Sequence, residues 1–411
     1  MPNDARSGAS QRAALHLRAL AQLGPVDLVC LIADPGEEIP PPLRHLVASV
    51  TIEPRRAELD RWRSFVADTS RLRKLKTALF DLGPAELHSL DPAESAAAAA
   101  RIGGGGHDLA FGFKLAGAAW IEQVERSADA PFGRKVADFD DFASEFRDNA
   151  RRRRQEGPLT RLVDQVHTRR VRHLETRLLR QWSAVILCSA NDADAVHRLA
   201  PSAKRPDIVP NAVPLRDPLP LAGAADMPGK PVRLLFIGLL SYEPNRDAVR
   251  WFISDILPAL RNLTPPLDFI VDIAGRHDNG ALAALCQPHA EVNFLGEVDR
   301  IEDAYAPADI VIVPLRQGSG TRLKILEAFT LGRPVVSTAK GVEGIDAQDG
   351  RDLLIADTPQ AFAKAIATLA ADPAGRTQMA EQAWAVVKEK YALNAVAERE
   401  AAILGRPHDR N

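Results

Sequence analysis

Residues 314–344 read PLRQGSGTRLKILEAFTLGRPVVSTAKGVEG, and the rest of the chain is organised around them. The run predicts a strand over 310–314, a glycine loop at Gly318-Ser319-Gly320, a helix from about Arg322 to Leu331 and a second strand over 334–338. Thr321 suits a helix N-cap and Gly332 a helix stop. At helical spacing Leu323, Ile325, Leu326 and Phe329 share one side, while Thr321, Lys324 and Glu327 form a polar stripe on another.

Such a loop–helix junction suits an anionic ligand. Glycines let backbone approach closely, and a helix N-terminus offers N–H groups and the positive end of its dipole. Lys324 adds a full charge one turn in. Glu327 is placed to accept paired hydrogen bonds from a diol such as ribose. A diphosphate at the loop and a pentose at the acid describe a nucleotide-sugar. The competing reading is a plain helix cap with a surface Lys–Glu pair.

The stretch resembles the donor-binding segment of the retaining glycosyltransferases of family four, which have the two-domain GT-B fold. Glu327-Ala328 and Gly332-Arg333-Pro334-Val335-Val336 match that pattern, and the run from Gly318 through Thr321-Arg322-Leu323-Lys324 matches one branch of it. The family's first acid, seven residues before the second, falls here on Ser319. The resemblance is strongest over 232–391. It implies an α/β chain of two Rossmann-like doubly wound domains facing a cleft, and metal-independent transfer with retained anomeric configuration. Within that expectation Arg322 and Lys324 are catalytic, stabilising the leaving diphosphate. Gly8, Gly318, Ser319, Gly320, Thr321 and Glu327 bind the donor.

Length and composition fit this expectation. At 411 residues the chain has room for two large domains, and 46% apolar residues supply their cores. A formal net charge of −2 gives no whole-molecule attraction to nucleic acid. Three cysteines without metal-like pairing read as small buried hydrophobes in a reducing compartment. Neither a long apolar run nor a signal-like start is present, so the expectation is a cytoplasmic protein.

In the first half, MPNDAR leaves no room for the strand that precedes the glycine loop Gly8-Ala9-Ser10 in the family. The expectation is either a start further upstream or a sheet one strand short. A helix over 11–22 follows, then strands at 26–32, 47–52, 108–113, 135–139, 184–189 and 207–210. The basic run 55–76, with Trp62, Phe65 and Leu72 interleaved, reads as a solvated helix face or as a surface for anionic lipid or a phosphorylated acceptor. Asp138 and Asp140 sit at the carboxyl end of a strand, where open α/β sheets bind ligands, and are the expected acceptor residues. The arginine-rich 147–180 lacks the aromatic interleaving of a single-strand groove and reads as basic helices.

The proline-rich 214–231 reads as the linker. Beyond it strands and helices alternate at short spacing, as in a second doubly wound sheet. The loop at 239–245, Leu-Leu-Ser-Tyr-Glu-Pro-Asn, lacks the arginine and lysine that relatives place there, so the charge must come from Arg322 and Lys324. Residues 374–404 read as one nearly continuous helix whose Trp384, Val387 and Tyr391 pack on the first domain. The expected division is 1–217 for an acceptor domain, 218–375 for a nucleotide-sugar domain and 376–404 for a helix crossing back.

The expected partners are a nucleotide-sugar donor and a glycan or lipid-linked acceptor, with peripheral membrane contact through the basic first half and no nucleic acid. Neither a metal nor an organic cofactor is expected. Two rival functions are a non-catalytic sugar-nucleotide-binding partner of a polysaccharide assembly complex and a nucleotide-sugar epimerase.

Overall fold

The computed structural model describes residues 2, 8–32, 38–54, 92–102, 106–127, 132–140, 142–144, 147–148, 157–221, 230–276, 280–318 and 322–406. The basic runs 55–76 and 151–154 therefore lie outside the described residues, as do Ser319, Gly320 and Thr321. The polypeptide divides into two compact units, Met1–Pro210 with Ala397–Asn411, and Asn211–Val396.

The first unit opens with a helix, Gly8–Ala21, and holds two parallel sheets. Strands β1 (Asp27–Ile32) and β2 (Ser49–Pro54) form one. The other runs in order β3 (Leu109–Phe113), β4 (Arg134–Asp138), β5 (Ala184–Leu187) and β6 (Asp207–Ile208). Its core gathers Ala118, Val124, Ala137, Leu178, Leu187 and Val196 between sheet and helices.

The second unit is one six-stranded parallel sheet: β7 (Val232–Ile237), β8 (Phe269–Ala274), β9 (Val292–Gly296), β10 (Ile310–Val313), β11 (Val335–Ser337) and β12 (Leu354–Ile355). The spatial order is β12-β11-β10-β7-β8-β9. Strands covered on both faces have no polar side to show, which is why β10 reads Ile-Val-Ile-Val and is buried throughout. The helix after it, Leu323–Thr330, buries Ile325, Leu326, Ala328 and Phe329. Each large apolar side chain so removed from water contributes about 1.5–3 kcal/mol, and Phe329→Ala would cost about 3–5 kcal/mol with its cavity. Gly332 stops the helix at φ 68°, with the Arg333 N–H returning to Ala328 O at 2.8 Å.

Three expectations change. The helix N-cap is Arg322 rather than Thr321, since Arg322 is extended (φ −82°, ψ 91°) and the helix starts at Leu323. The stretch expected as a linker belongs to the second unit up to at least Pro220. Val213 N–H donates to Tyr391 O at 3.0 Å, Arg216 N–H to Thr330 Oγ1 at 2.9 Å and Leu219 N–H to Leu331 O at 3.0 Å. A prolyl-rich segment with its remaining amides satisfied in this way is a strap, not a spacer.

The helical stretch 374–404 is broken. It comprises Pro373–Val386, a π-turn at Val387–Tyr391 and, after extended Ala392 (φ −64°, ψ 130°), Leu393–Leu404. Ala392 pairs with Val213 as an isolated bridge, which takes its backbone out of the helix. Val387 and Tyr391 consequently join the core of the second unit, and Trp384 Nε1 donates to Arg216 O at 3.0 Å. Residues from Ala397 onward belong to the first unit.

Candidate functional site

In the second unit the winding reverses between β7 and β10. Strands β8 and β9 add on one side of that pair and β11 and β12 on the other. The loops leaving β7 and β10 therefore diverge, and the crevice outside their carboxyl ends is where open α/β sheets take ligands. The quoted stretch lies there. Gly238 follows β7, and Gly318, Arg322 and Lys324 follow β10.

Steric economy keeps the two loops close. Gly318 has φ 115°, open to glycine, and a Cβ on it would stand 3.0 Å from Arg322 Nη2 and 3.6 Å from Pro244 Cβ. The Arg322 guanidinium is thus folded back over Gly318, and Arg322 is 8% exposed. Arg316 braces the same loop with paired bonds to Asp247 at 2.6 and 3.1 Å, its guanidinium 5.2 Å from the Trp251 ring centre.

Lys324 turns toward β7. Its Nζ donates to Asn245 Oδ1 at 2.7 Å and lies 4.4 Å from the Phe236 ring centre. Burial, reinforced by repulsion from Arg322 and only partly offset by Glu327, pushes the ammonium down to about 7. Half-buried Glu327 stands beside Tyr305, whose single hydroxyl proton is shared between two acceptors, Lys324 O at 3.2 Å and the Glu327 carboxylate. Burial first, then the negative charge of Glu327, holds the Tyr305 phenol well above its ordinary value. Two cations at the crevice and a carboxylate one turn further along can grip an anion and a diol side by side.

In the first unit Asp138 is fully buried, and this corrects its place as an acceptor residue. Its carboxylate takes paired bonds from Arg12 at 2.6 and 2.7 Å and one from His16 Nε2 at 2.8 Å. His16 Nδ1 in turn meets Glu400 Oε1 at 2.5 Å, and Arg12 Nη1 donates to Val209 O at 2.9 Å. Burial alone would push the His16 ring down, but Glu400 and Asp138 outweigh it and raise it to about 9. Against the burial that opposes it, Arg12 and His16 hold Asp138 far below the usual carboxylate range. Two cations and two anions balance in this core.

Asp140 reaches the surface side of the cluster, 3.7 Å from Arg12 Nε and 3.1 Å from Lys114 Nζ. Lys114 and Asp140 are the non-glycine residues with positive φ among those described, at 60° and 59°, each just past the end of its strand. Gly8 is the exposed first residue of its helix rather than part of a loop.

Sequence reasoning missed Asn245, Tyr305 and the Arg12–His16–Glu400 group. Arg12 and His16 left a trace: they are spaced four apart on a helix face that otherwise buries Leu15 and Ala19. Tyr305 and Asn245 left none beyond the unmet need of Lys324 for an acceptor. Among the described residues no cluster of His, Cys, Asp or Glu is placed to hold a metal ion, and no helix is long and apolar enough to cross a membrane.

Residues 231–372 match the family described as glycosyl transferases group 1. A curated relative, an "Uncharacterized 44.6 kDa protein in cps region" of Klebsiella pneumoniae, is 28% identical over 165 residues, 38% of this chain. The match spans only 42% of that relative. Sucrose-phosphate synthase from Thermosynechococcus elongatus superposes with a TM-score of 0.66 at 16% identity, over 97% of this chain and 93% of its own. Anabaena HepE, solved in complex with UDP and glucose, also gives 0.66, at 15% identity over 99% and 98%. The chain has the GT-B fold of these structures, and the group 1 match in its second unit supports a glycosyltransferase.

Proposed function

We propose that the chain moves a sugar from a nucleoside diphosphate sugar to a glycan or lipid-linked acceptor with retention of configuration, as a family-four enzyme of exopolysaccharide or envelope glycan synthesis. The observation that carries this reading is the pair of cations, Arg322 and Lys324, gathered at the switch point of the second sheet, with Glu327 on the same helix. As the bond from the anomeric carbon to the diphosphate oxygen breaks, negative charge builds on the leaving group. Fixed donors aimed at that oxygen stabilise the transition state more than the ground state. The acceptor oxygen forms the new bond, and its proton passes to the leaving diphosphate.

Support comes from several sides. The group 1 match covers the segment that holds these residues, and the HepE structure holds UDP and glucose on the same fold. The Klebsiella relative comes from a cps region, in keeping with a polysaccharide role. Retention and independence from metal rest on the family-four resemblance. The two cations supply positive charge that a divalent ion supplies elsewhere. Gly318 with Ser319, Gly320 and Thr321 is assigned to the donor diphosphate, Glu327 to the ribose and Asp140 to the acceptor.

A thermal-shift screen of nucleotide-sugars identifies the donor, because a bound ligand stabilises the folded state by mass action. A structure with UDP or GDP then tests the site: the diphosphate is expected at Arg322 and Lys324, and a nucleotide bound elsewhere sinks the proposal. NMR of the product's anomeric proton reads retention. Donor conversion without any acceptor would instead indicate an epimerase, and binding without turnover a non-catalytic partner.

A further inference from the structure

We infer that Asn245 is a positioning residue for catalysis, holding the Lys324 amine over the end of β7 so that it meets the donor diphosphate as a charged ammonium. This rests on the reading of the site given above. Asn245 lies in the first turn of the helix Glu243–Trp251, in the loop where family-four relatives carry an arginine and a lysine, and it is only 6% exposed. Its amide has one orientation open to it. Leu239 O can only accept, so it takes Nδ2 at 2.9 Å, and the Lys324 amine donates to Oδ1 at 2.7 Å.

The surroundings are cut to that pair. A Cβ on Gly238 would stand 2.7 Å from Lys324 Nζ and 2.8 Å from Asn245 Nδ2, so the strand ends on a residue that leaves the lysine a passage. Phe236 lines it from below, with its ring centre 4.4 Å from Nζ. Among the described residues the charged groups acting on the amine are Arg322 before the helix and Glu327 along it, while Tyr305, from the helix Ile301–Tyr305, meets the Lys324 backbone carbonyl. Arg322 opposes the charge on Lys324 and Glu327 favours it. Asn245 Oδ1 is a side-chain acceptor for Nζ, and a neutral acceptor stabilises an ammonium without competing for it as a carboxylate would.

The consequence is an amine poised near neutrality, which an arriving diphosphate drives to full charge. Asn245 thus does for a lysine borrowed from the next loop what a lysine in its own loop would do unaided.

Two readouts test this. Lysine titration is followed by NMR of the reductively methylated full chain, with Lys324→Arg assigning the signal. Calorimetry follows binding of inorganic pyrophosphate, which carries the anion without base or sugar. With Asn245→Ala the Lys324 amine should titrate lower than in the wild-type protein, where burial and Arg322 push it down to about 7. Pyrophosphate affinity should then fall about tenfold at about pH 8.5, and the loss should shrink toward about pH 5, where the amine is charged in both proteins. Asn245→Asp should move the titration upward.

A residue that merely held the loop together would weaken pyrophosphate equally at both pH values, and that result, or an unmoved titration, overturns the inference. Should wild-type protein ignore pyrophosphate altogether, the donor-site reading falls. The Lys324 titration still decides, independently, whether Asn245 governs that amine.

Discussion

Lys324 crosses the end of β7 directly over Gly238, so closely that a Cβ there would stand 2.7 Å from its Nζ. The atoms struck would be the ends of two side chains, Lys324 Nζ and Asn245 Nδ2, not backbone, so the unit can absorb it. Gly238→Ala should leave the melting temperature within a few degrees while pushing the amine off Asn245. We expect nucleoside diphosphate affinity to fall about tenfold, the cost of one charge-assisted hydrogen bond, as read by calorimetry. Unchanged affinity would place the diphosphate away from this crossing.

On the proposed reading, Lys324→Ala removes a preorganised donor from the leaving group. Transfer should fall by roughly two orders of magnitude or more, while the fold, which gains nothing from a buried amine near neutrality, is kept. Turnover close to normal in a steady-state assay would take Lys324 out of the chemistry.

Glu327 is held by Tyr305, so the two form a test pair. Glu327→Ala should weaken donor binding with little change in the rate of bound substrate, because a ribose contact is made equally in ground and transition states. Tyr305→Phe should produce a smaller loss of the same kind, since it frees the carboxylate without deleting it. A fall in kcat alone in either variant would show that the carboxylate acts on the reaction, not the pentose.

The buried His16 contributes to stability with a definite pH dependence. Its folded-state value is raised from 6.5 to about 9, so the folded unit binds this proton more tightly than the unfolded chain. That contribution is complete below about 6.5 and is lost as pH rises through about 9. His16→Ala leaves Asp138 and Glu400 short of a cation and should cost about 3–5 kcal/mol near pH 6. Hydrogen exchange of the Gly8–Ala21 amides measures it, and the gap between wild type and variant should narrow above about pH 9. A gap constant with pH would mean that the ring is neutral in the folded unit.

Much of the fold can be read from the chain alone because its signals are local. Strands β7, β8 and β10 are apolar runs, and Gly332 stops its helix by its own backbone freedom. The switch-point loop was likewise legible, since Gly318, Arg322, Lys324 and Glu327 lie within ten residues of one another. What stayed hidden depends on distance along the chain. Asn245 reaches Lys324 across 79 positions and His16 reaches Glu400 across 384. Asp138 looked like a strand-end ligand because nothing nearby in sequence announces that Arg12 and His16 close over it. The break at Ala392 escaped notice too, for alanine and leucine on either side favour a helix and only the bridge to Val213 overrides them.

Glu400 under His16 has a bearing on the order in which the protein is made. The unit that contains it is assembled from two separated stretches, Met1–Pro210 and Ala397–Asn411, whereas Asn211–Val396 is one uninterrupted stretch. During synthesis the later-encoded unit can therefore close before its predecessor has all its parts. Until residue 400 emerges, His16 lacks its Glu400 partner and the half-made unit is missing one of the two carboxylates that meet that ring. Nascent chains stalled short of residue 400 should accordingly be open to proteases in their first two hundred residues and resistant beyond them.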